Sequence, residues 1–352
     1  MHCVILAGGA GTRFWPKSRI DRPKQLLKLV NSKTLIVQTA ELLEGYANCE
    51  GLHMVASKPL TELLKKEVPH TPDENFIAEP GRRNTAPAIA LAAFILRKRY
   101  GNTVMGVFPA DHLIRKENEF YRALEQADAK ASEGENLITL GIQPSYPATG
   151  YGYVEFNRDN DSDMHPVVRF TEKPDLETAK SFLEGGSHLW NGGMFIWRVN
   201  TIIDKMEQHL PATFERLTSI EHLIDTPKFE RALAKVWPDV DSISIDYGVL
   251  ENAQPIFTIE TRFEWHDLGS WRTLYDVLPK DRDGNVIQGD ATVIDSHNSL
   301  IVSEGHYTAV IGANDLIVVS TADATIVLPR SESERVQEIV QWLKSRDRED
   351  LL

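Results

Sequence analysis

The chain has 352 residues, 42% of them hydrophobic and 25% charged, with a formal net charge of −13. This composition suits a globular protein long enough for two domains, and its acidic balance argues against a nucleic-acid surface or an anionic membrane as partner. No window nears the ~18 consecutive apolar residues of a membrane helix. Two cysteines, Cys3 and Cys49, do not make a secreted disulfide framework, so the expectation is a cytoplasmic protein.

In chain order, strands are expected at Val4–Ala7, His53–Ala56, Asn75–Ala78, Thr103–Phe108 and Leu137–Gly141. Amphipathic stretches at Thr34–Leu43, Pro59–Glu67, Ala86–Arg99 and Glu117–Glu133 lie between them. That alternation predicts an α/β fold with a doubly wound, mostly parallel sheet, a Rossmann-like arrangement with active groups at the carboxyl ends of the strands. Further strands are read at Tyr151–Phe156, Val167–Lys173 and Gly192–Trp197, and helices at Leu176–Glu184, Val199–Leu217 and Pro227–Val236. Near Pro279 the pattern changes. Short β-type runs follow at Asn285–Gln288, Ala291–Ser296, Ser299–Ser303, Thr308–Ile311, Leu316–Ser320 and Ala324–Leu328, then a helix at Glu332–Arg346. The expected division is a first domain over residues 1–280 and a small all-β module with a terminal helix over residues 281–352.

The first strand runs into Leu6-Ala7-Gly8-Gly9-Ala10-Gly11-Thr12-Arg13, and Pro23-Lys24 follows. Glycines let the backbone approach a ligand closely, and Arg13 and Lys24 can neutralise phosphate oxygens, one as a fork and one as a point charge. There is no Gly-Lys-Ser/Thr, so this is not a P-loop, and Phe14 breaks the dinucleotide fingerprint at its third glycine. The string GGAGTRFWPKSR, with RPKQLL after it, resembles the signature of the sugar-nucleotide pyrophosphorylases, the nucleotidyltransferases of sugar 1-phosphates. Its Phe-Trp-Pro-x-Ser-Arg continuation is most similar to the mannose-1-phosphate guanylyltransferase branch.

Further motifs along the chain carry the same resemblance. Phe108-Pro109-Ala110-Asp111-His112 ends a strand in a carboxylate, which could cap a helix or hold Mg²⁺ through hard oxygens. Trp265-His266-Asp267-Leu268-Gly269-Ser270-Trp271 offers a second such carboxylate. Glu79-Pro80-x-x-Arg83-Asn84-Thr85-Ala86-Pro87 reads as a helix start capped by Asn84 or Thr85. Thr149-Gly150-Tyr151-Gly152-Tyr153, Phe170-Thr171-Glu172-Lys173-Pro174 and Trp190-Asn191-Gly192-Gly193 form a third set, with Asp246-Tyr247-Gly248 after it.

The resemblance implies a nucleotide site at Leu6, Ala7, Gly8, Gly9, Gly11, Thr12, Arg13, Lys24, Glu79, Pro80, Asn84, Thr85 and Asp111. It implies sugar-phosphate contacts from Gly150, Glu172, Lys173, Asn191 and Asp246, and Mg²⁺ held by Asp111 and Asp267. Arg13, Lys24, Asp111 and Asp267 would carry the catalysis. The β-rich tail would be a short left-handed β-helix. The implied reaction joins GTP and α-D-mannose 1-phosphate into GDP-mannose with loss of pyrophosphate, without a covalent enzyme intermediate. The alternatives are the same chemistry on another sugar 1-phosphate or base, or a silent homologue that binds GDP-mannose and regulates a partner. Neither a nucleic acid nor a membrane is expected as partner. The short strands of the tail need a surface to pack on, and the expectation is a homodimer or a large interdomain contact.

Overall fold

The computed structural model describes residues 1–9, 11–157 and 162–352. Ala10, in the middle of the glycine string, lies outside them. The chain forms two compact units. The first comprises Met1–Gly8, Ala40–Ala110 and Ile114–Trp265, and the second Gly9–Thr39, Asp111–Leu113 and His266–Leu352.

The strands in chain order begin with β1 (His2–Leu6), β2 (Gly51–Ser57), β3 (Phe76–Glu79) and β4 (Val104–Pro109). Next come β5 (His112–Arg115), β6 (Leu137–Ile142), β7 (Tyr153–Phe156), β8 (Met164–Thr171), β9 (His188–Arg198), β10 (Ile256–Glu260) and β11 (Glu264–Asp267). The last are β12 (Val286–Ile294), β13 (Leu300–Ile311), β14 (Leu316–Ser320) and β15 (Thr325–Pro329). The helices are α1 (Leu35–Glu44), α2 (Lys58–Glu67), α3 (Thr85–Tyr100), α4 (Glu117–Glu133) and α5 (Leu176–Gly185). They continue with α6 (Val199–His209), α7 (Pro211–Ile220), α8 (Phe229–Val236), α9 (Trp271–Val277) and α10 (Val336–Ser345).

In the first unit, one sheet has the order β3-β2-β1-β4-β9-β6-β10-β8-β7. Strands β3, β2, β1 and β4 run parallel, as do β6 and β10. β9 enters antiparallel to both β4 and β6. From Cys3 onward β1 is an unbroken apolar run, because it lies between two parallel neighbours with its sides covered. α3 explains much of the core. Its residues from Ala86 to Leu96 are buried all round, the signature of an internal helix rather than a surface one. Only its last turn is polar: Arg97 and Arg99 complement the helix dipole and pair with Glu221 and Asp225.

The helix expected over Val199–Leu217 is two helices. α6 ends before Leu210, and α7 starts at Pro211, whose ring suits a first turn and cannot extend the helix before it. The closing helix is also shorter than expected, because residues Arg330–Arg335 form a tighter 3-10 segment before α10.

In the second unit, β12, β13 and β14 stack in parallel and β15 returns antiparallel. Two pairs of the short runs read from sequence are continuous strands. β12 passes through Gly289, where the register shifts, and β13 passes through Gly305. Gly289 has φ +87° and a side chain there would run into the Ser303 carbonyl, so only glycine fits that crossing. The core of this unit joins Phe14, Trp15, Leu27 and Leu29 with Leu268, Trp271, Leu300, Val302, Ile317, Val319, Val336 and Val340. No helix among the described residues is long and apolar enough to cross a membrane.

Candidate active site

In the second unit the glycine string turns into a short 3-10 segment, Thr12–Phe14. Gly11 has φ +57°, and a Cβ there would overlap the Cβ of Lys24. The glycine is therefore required so that the loop can lie directly against the Lys24 backbone. Gly9 has φ +94° and its carbonyl accepts from the Gln25 amide, 3.3 Å. The loop is anchored from behind. Phe14 meets the Trp271 ring edge-on at 5.0 Å, and the Trp271 indole N–H donates to the Trp15 carbonyl at 3.0 Å.

Asp111 follows β4 and Asp267 ends β11, and β5 and β11 pair with one another as a two-stranded ribbon. Neither aspartate is a helix cap: Asp111 leads into a strand, and Ser270 occupies the cap of α9. The buried Lys24 ammonium stands 2.7 Å from Asp111 Oδ2 and 3.7 Å from Asp267 Oδ1. Burial alone would raise the Asp111 pKa, but the charge of Lys24 and His112 outweighs it and holds the carboxyl below its usual range. Burial pushes His112 down, against Asp267 and Asp111. Among the described residues no group of three or more His, Cys, Asp or Glu side chains is arranged to hold a metal ion. Arg13 points instead to the C-terminal part of the unit, where its Nε lies 2.9 Å from Glu334.

Four sugar-side candidates of the first unit form one connected group. Asn191 receives the Thr139 hydroxyl on its Oδ1 at 2.9 Å and donates through Nδ2 to Asp246 at 3.0 Å. The Lys173 ammonium contacts the Glu172 carboxylate. Burial, reinforced by the Glu172 charge, pushes Asp246 up to about 6. Asp246 opens a π-helical turn, Asp246–Leu250, a rare geometry that clusters at functional sites. Gly150 is exposed and has open space where a Cβ would go. The crowded glycine is Gly152, where a Cβ would lie 2.6 Å from Glu172 Oε2 and displace that carboxylate. Sequence reasoning did not single out Gly152, Thr139 or Glu334. The first sits one glycine beyond the motif residue chosen, and the other two act across the fold with no local signal.

Around Glu79 and Pro80, Asn84 occupies the N-cap of α3 and accepts from the Thr85 N–H at 2.9 Å. The Thr85 hydroxyl accepts from the Ile245 N–H at 2.9 Å, so the start of α3 and the π turn at Asp246 are tied together. The Trp237 indole braces the segment by donating to the Gly81 carbonyl, 2.6 Å. Burial pushes Glu79 up to about 7. Leu6 and Ala7 close β1: the Ala110 N–H donates to the Leu6 carbonyl and the Ala7 N–H to Val55. Gly8 ends the first segment of this unit.

A glycine loop set against a lysine and two carboxylates, in a chain that also carries a mixed α/β sheet, is the pattern of a nucleotidyl-transfer enzyme. Residues 2–284 match the nucleotidyl transferase family model, and residues 289–343 the MannoseP isomerase/GMP-like beta-helix domain. A mannose-1-phosphate guanylyltransferase of Klebsiella pneumoniae is 36% identical over 99% of this chain and 74% of its own length. One of Escherichia coli is 36% identical over 99% of this chain and 76% of its own. The crystal structure of a mannose-1-phosphate geranyltransferase from Thermus thermophilus superimposes with a TM-score of 0.86 at 30% identity, covering 97% of this chain and 99% of that one. The chain belongs to the nucleotidyl transferase family, among the mannose-1-phosphate guanylyltransferases. The expected α/β nucleotidyltransferase domain with a β-helix-like C-terminal module is thereby established. Enzymes of this family generally use a divalent metal.

Proposed function

We propose that this chain transfers GMP from GTP to α-D-mannose 1-phosphate, releasing pyrophosphate and GDP-mannose. The observation that carries the reading is the convergence of Asp111 and Asp267 on the single positive charge of Lys24, beside a loop in which Gly11 admits that lysine. Two carboxylates held around one cation are a hard-oxygen pair suited to Mg²⁺, which is commonly bound by one or two carboxylates, with substrate phosphates and water completing its shell. The residues therefore fit the metal that the family implies, and a larger protein cage is not needed. When bound at Asp111 and Asp267, Mg²⁺ would neutralise charge on the α-phosphate and orient it.

The chain's own groups account for the rest. Lys24 neutralises phosphate oxygens once substrate enters, and Arg13 grips the β- and γ-phosphates as a fork. The backbone from Leu6 through Gly8, Gly9, Gly11 and Thr12 lies along the nucleotide. Glu79, Pro80, Asn84 and Thr85 receive the base. Asn191, Asp246, Glu172, Lys173 and the Gly150 backbone hold the sugar phosphate. Its phosphate oxygen is already anionic and attacks phosphorus in line, so positioning two mutually repelling anions is the main work.

We also propose residues 1–280 as the catalytic domain and 281–352 as the β-helix module. The enzyme is a cytoplasmic homodimer in this reading. Support for self-association comes from Ile294, Tyr307, Ile311 and Val327, which are exposed on the C-terminal strands.

The test is pyrophosphate release over a matrix of GTP, ATP, UTP and dTTP with mannose and glucose 1-phosphates. The expected result is fastest turnover with GTP and mannose 1-phosphate. Background release with that pair, alongside ready turnover of another, would overturn the substrate assignment.

A further inference from the structure

We infer that Thr139, which belongs to none of the motifs, is the positioning residue for Asn191. Its hydroxyl locks the Asn191 amide so that only N–H is left to meet the substrate, and the substrate group that suits this place is a sugar hydroxyl. Asn191 holds the sugar in the reading proposed above, and the role of Thr139 in binding rests on that reading.

Thr139 interrupts an apolar strand. β6 reads Leu-Ile-Thr-Leu-Gly-Ile, and all of it is buried. A hydroxyl in such a run is costly unless it is bonded. Thr258, its register partner on β10, has a buried hydroxyl without a hydrogen-bond partner, so the two threonines do not satisfy each other. Thr139 turns the other way and donates to Asn191 Oδ1 of β9 at 2.9 Å. The Asn-Gly-Gly sequence permits this approach. Between the Thr139–Phe195 and Gly141–Asn191 pairs the register shifts, and β9 carries the extra residues. Gly192 lies against the Leu140 carbonyl, where a Cβ would come within 2.7 Å, and Gly193 has φ +65°. Bulges re-aim side chains beside functional sites. In this one the Gly193 N–H also reaches back to Asn191 Oδ1, 3.2 Å.

These bonds fix which end of the amide is which. A backbone N–H can only donate, so the atom that Gly193 meets is the oxygen. Gly193 and Thr139 occupy its two lone pairs. The nitrogen gives one hydrogen to Asp246 Oδ1 at 3.0 Å and keeps the other. The main chain is held too, since the Asn191 N–H donates to the Gly152 carbonyl at 2.8 Å. Asn191 therefore reaches a ligand as a donor only. Asp246 beside it adds a second requirement, because a carboxylate accepts hydrogen bonds and repels anions. A hydroxyl can accept from Asn191 and donate to Asp246, whereas a phosphate oxygen satisfies the first and is repelled by the second. Thr139 is 1% exposed, so it acts through Asn191 and not on the substrate directly.

The lock is read first without turnover, by nuclear magnetic resonance of protein labelled with nitrogen-15 asparagine. The Asn191 side-chain signals are identified by their loss in Asn191→Asp. In the wild type they are expected to exchange with solvent at least about tenfold more slowly than those of the exposed Asn118. Kinetics then read the consequence. Thr139→Val should raise the KM for mannose 1-phosphate about five- to tenfold, leave the KM for GTP within about twofold, and speed the Asn191 exchange. Thr139→Ser, which keeps the hydroxyl, should match the wild type. Among the monodeoxy mannose 1-phosphates, one should bind worse than the parent sugar in the wild type and lose that penalty in Thr139→Val. Asn191 signals that exchange as fast as those of Asn118 would overturn the lock. Equal rises in both KM values, or a serine variant as impaired as the valine one, would overturn the positioning role. A monodeoxy series without such a penalty would overturn the hydroxyl assignment. A wild-type enzyme that does not use mannose 1-phosphate would overturn the substrate reading, and the wild-type exchange rates would still decide the lock, as they would if the valine variant failed to fold.

Discussion

The Lys24 ammonium sits 2.7 Å from the Asp111 carboxylate, with the lysine almost fully buried. A buried ion pair of this kind contributes little net stability over an apolar substitute, but breaking it leaves a charge without a partner. Lys24→Ala is therefore expected to lose about 3 kcal/mol of stability as well as turnover. Magnesium should raise the thermal midpoint of Lys24→Ala more than that of the wild type, because two carboxylates are left without their cation. A midpoint in the variant that does not respond to magnesium would contradict the assignment of Asp111 and Asp267. The depressed Asp111 pKa adds a sign: its stabilisation is present at neutral pH and is lost on acidification through the carboxylate range.

Asp111→Asn and Asp267→Asn are each expected to lower kcat by on the order of a hundredfold or more, with the fold kept. Steady-state rates against magnesium concentration, with circular dichroism melts, check this. Near-wild-type rates with unchanged metal dependence would exclude the role.

Arg13 should behave unlike Lys24. Its partner Glu334 is 65% exposed and Arg13 itself 46%, so their ion pair contributes about 0–1 kcal/mol. Arg13→Ala should leave the ligand-free midpoint unchanged and act on GTP. Glu334→Gln, which releases Arg13 from a competing carboxylate, should lower the KM for GTP a few-fold, about 2–5 times. An unchanged KM would mean that the contact does not compete with phosphate.

Asp246 has a raised pKa, about 6, caused by burial and by Glu172. A carboxyl with a raised folded pKa binds its proton more tightly in the folded state, so its contribution falls as pH rises from about 4 to above 6. Asp246→Asn should therefore raise the thermal midpoint at pH 8 relative to wild type, by about 1–2 kcal/mol in stability, and change it little at pH 4. The same variant should weaken mannose 1-phosphate binding. A larger stabilisation at pH 4 than at pH 8 would refute the ionisation argument.

Much of the site was legible because its parts stand at the ends of apolar runs. Val4–Ala7 with its glycines, Ala110-Asp111 after β4 and Asp267 before α9 each show locally what kind of element precedes the functional group. Asn191 and Asp246 were legible as motifs, but the hydrogen bond joining them was not, since it depends on β9 entering between β4 and β6. The Leu210 break was hidden by an apolar period that continues on both sides of Pro211. Contacts such as Arg13 with Glu334 or Lys17 with Glu304 leave no trace in a window of neighbouring residues, because charge pairs across the fold impose no spacing.

The tail carries none of the motifs read for phosphate or metal, yet the core beneath Phe14, Trp15, Leu27 and Leu29 is built largely from Leu300, Val302, Ile317, Val319, Val336 and Val340. Deleting from Asp283 onward should expose those loop anchors and abolish turnover together with the cooperative melt; a truncated chain that keeps wild-type kcat would refute this.

The same core has a consequence for the order of events on the ribosome. Chains generally fold from the amino end as they emerge. Here the glycine loop is made well before the side chains that bury Phe14 and Trp15, which come from β13, β14 and α10. The loop must wait, apolar anchors exposed, until those elements have emerged. A partly made chain therefore carries the loop without the packing that fixes its shape.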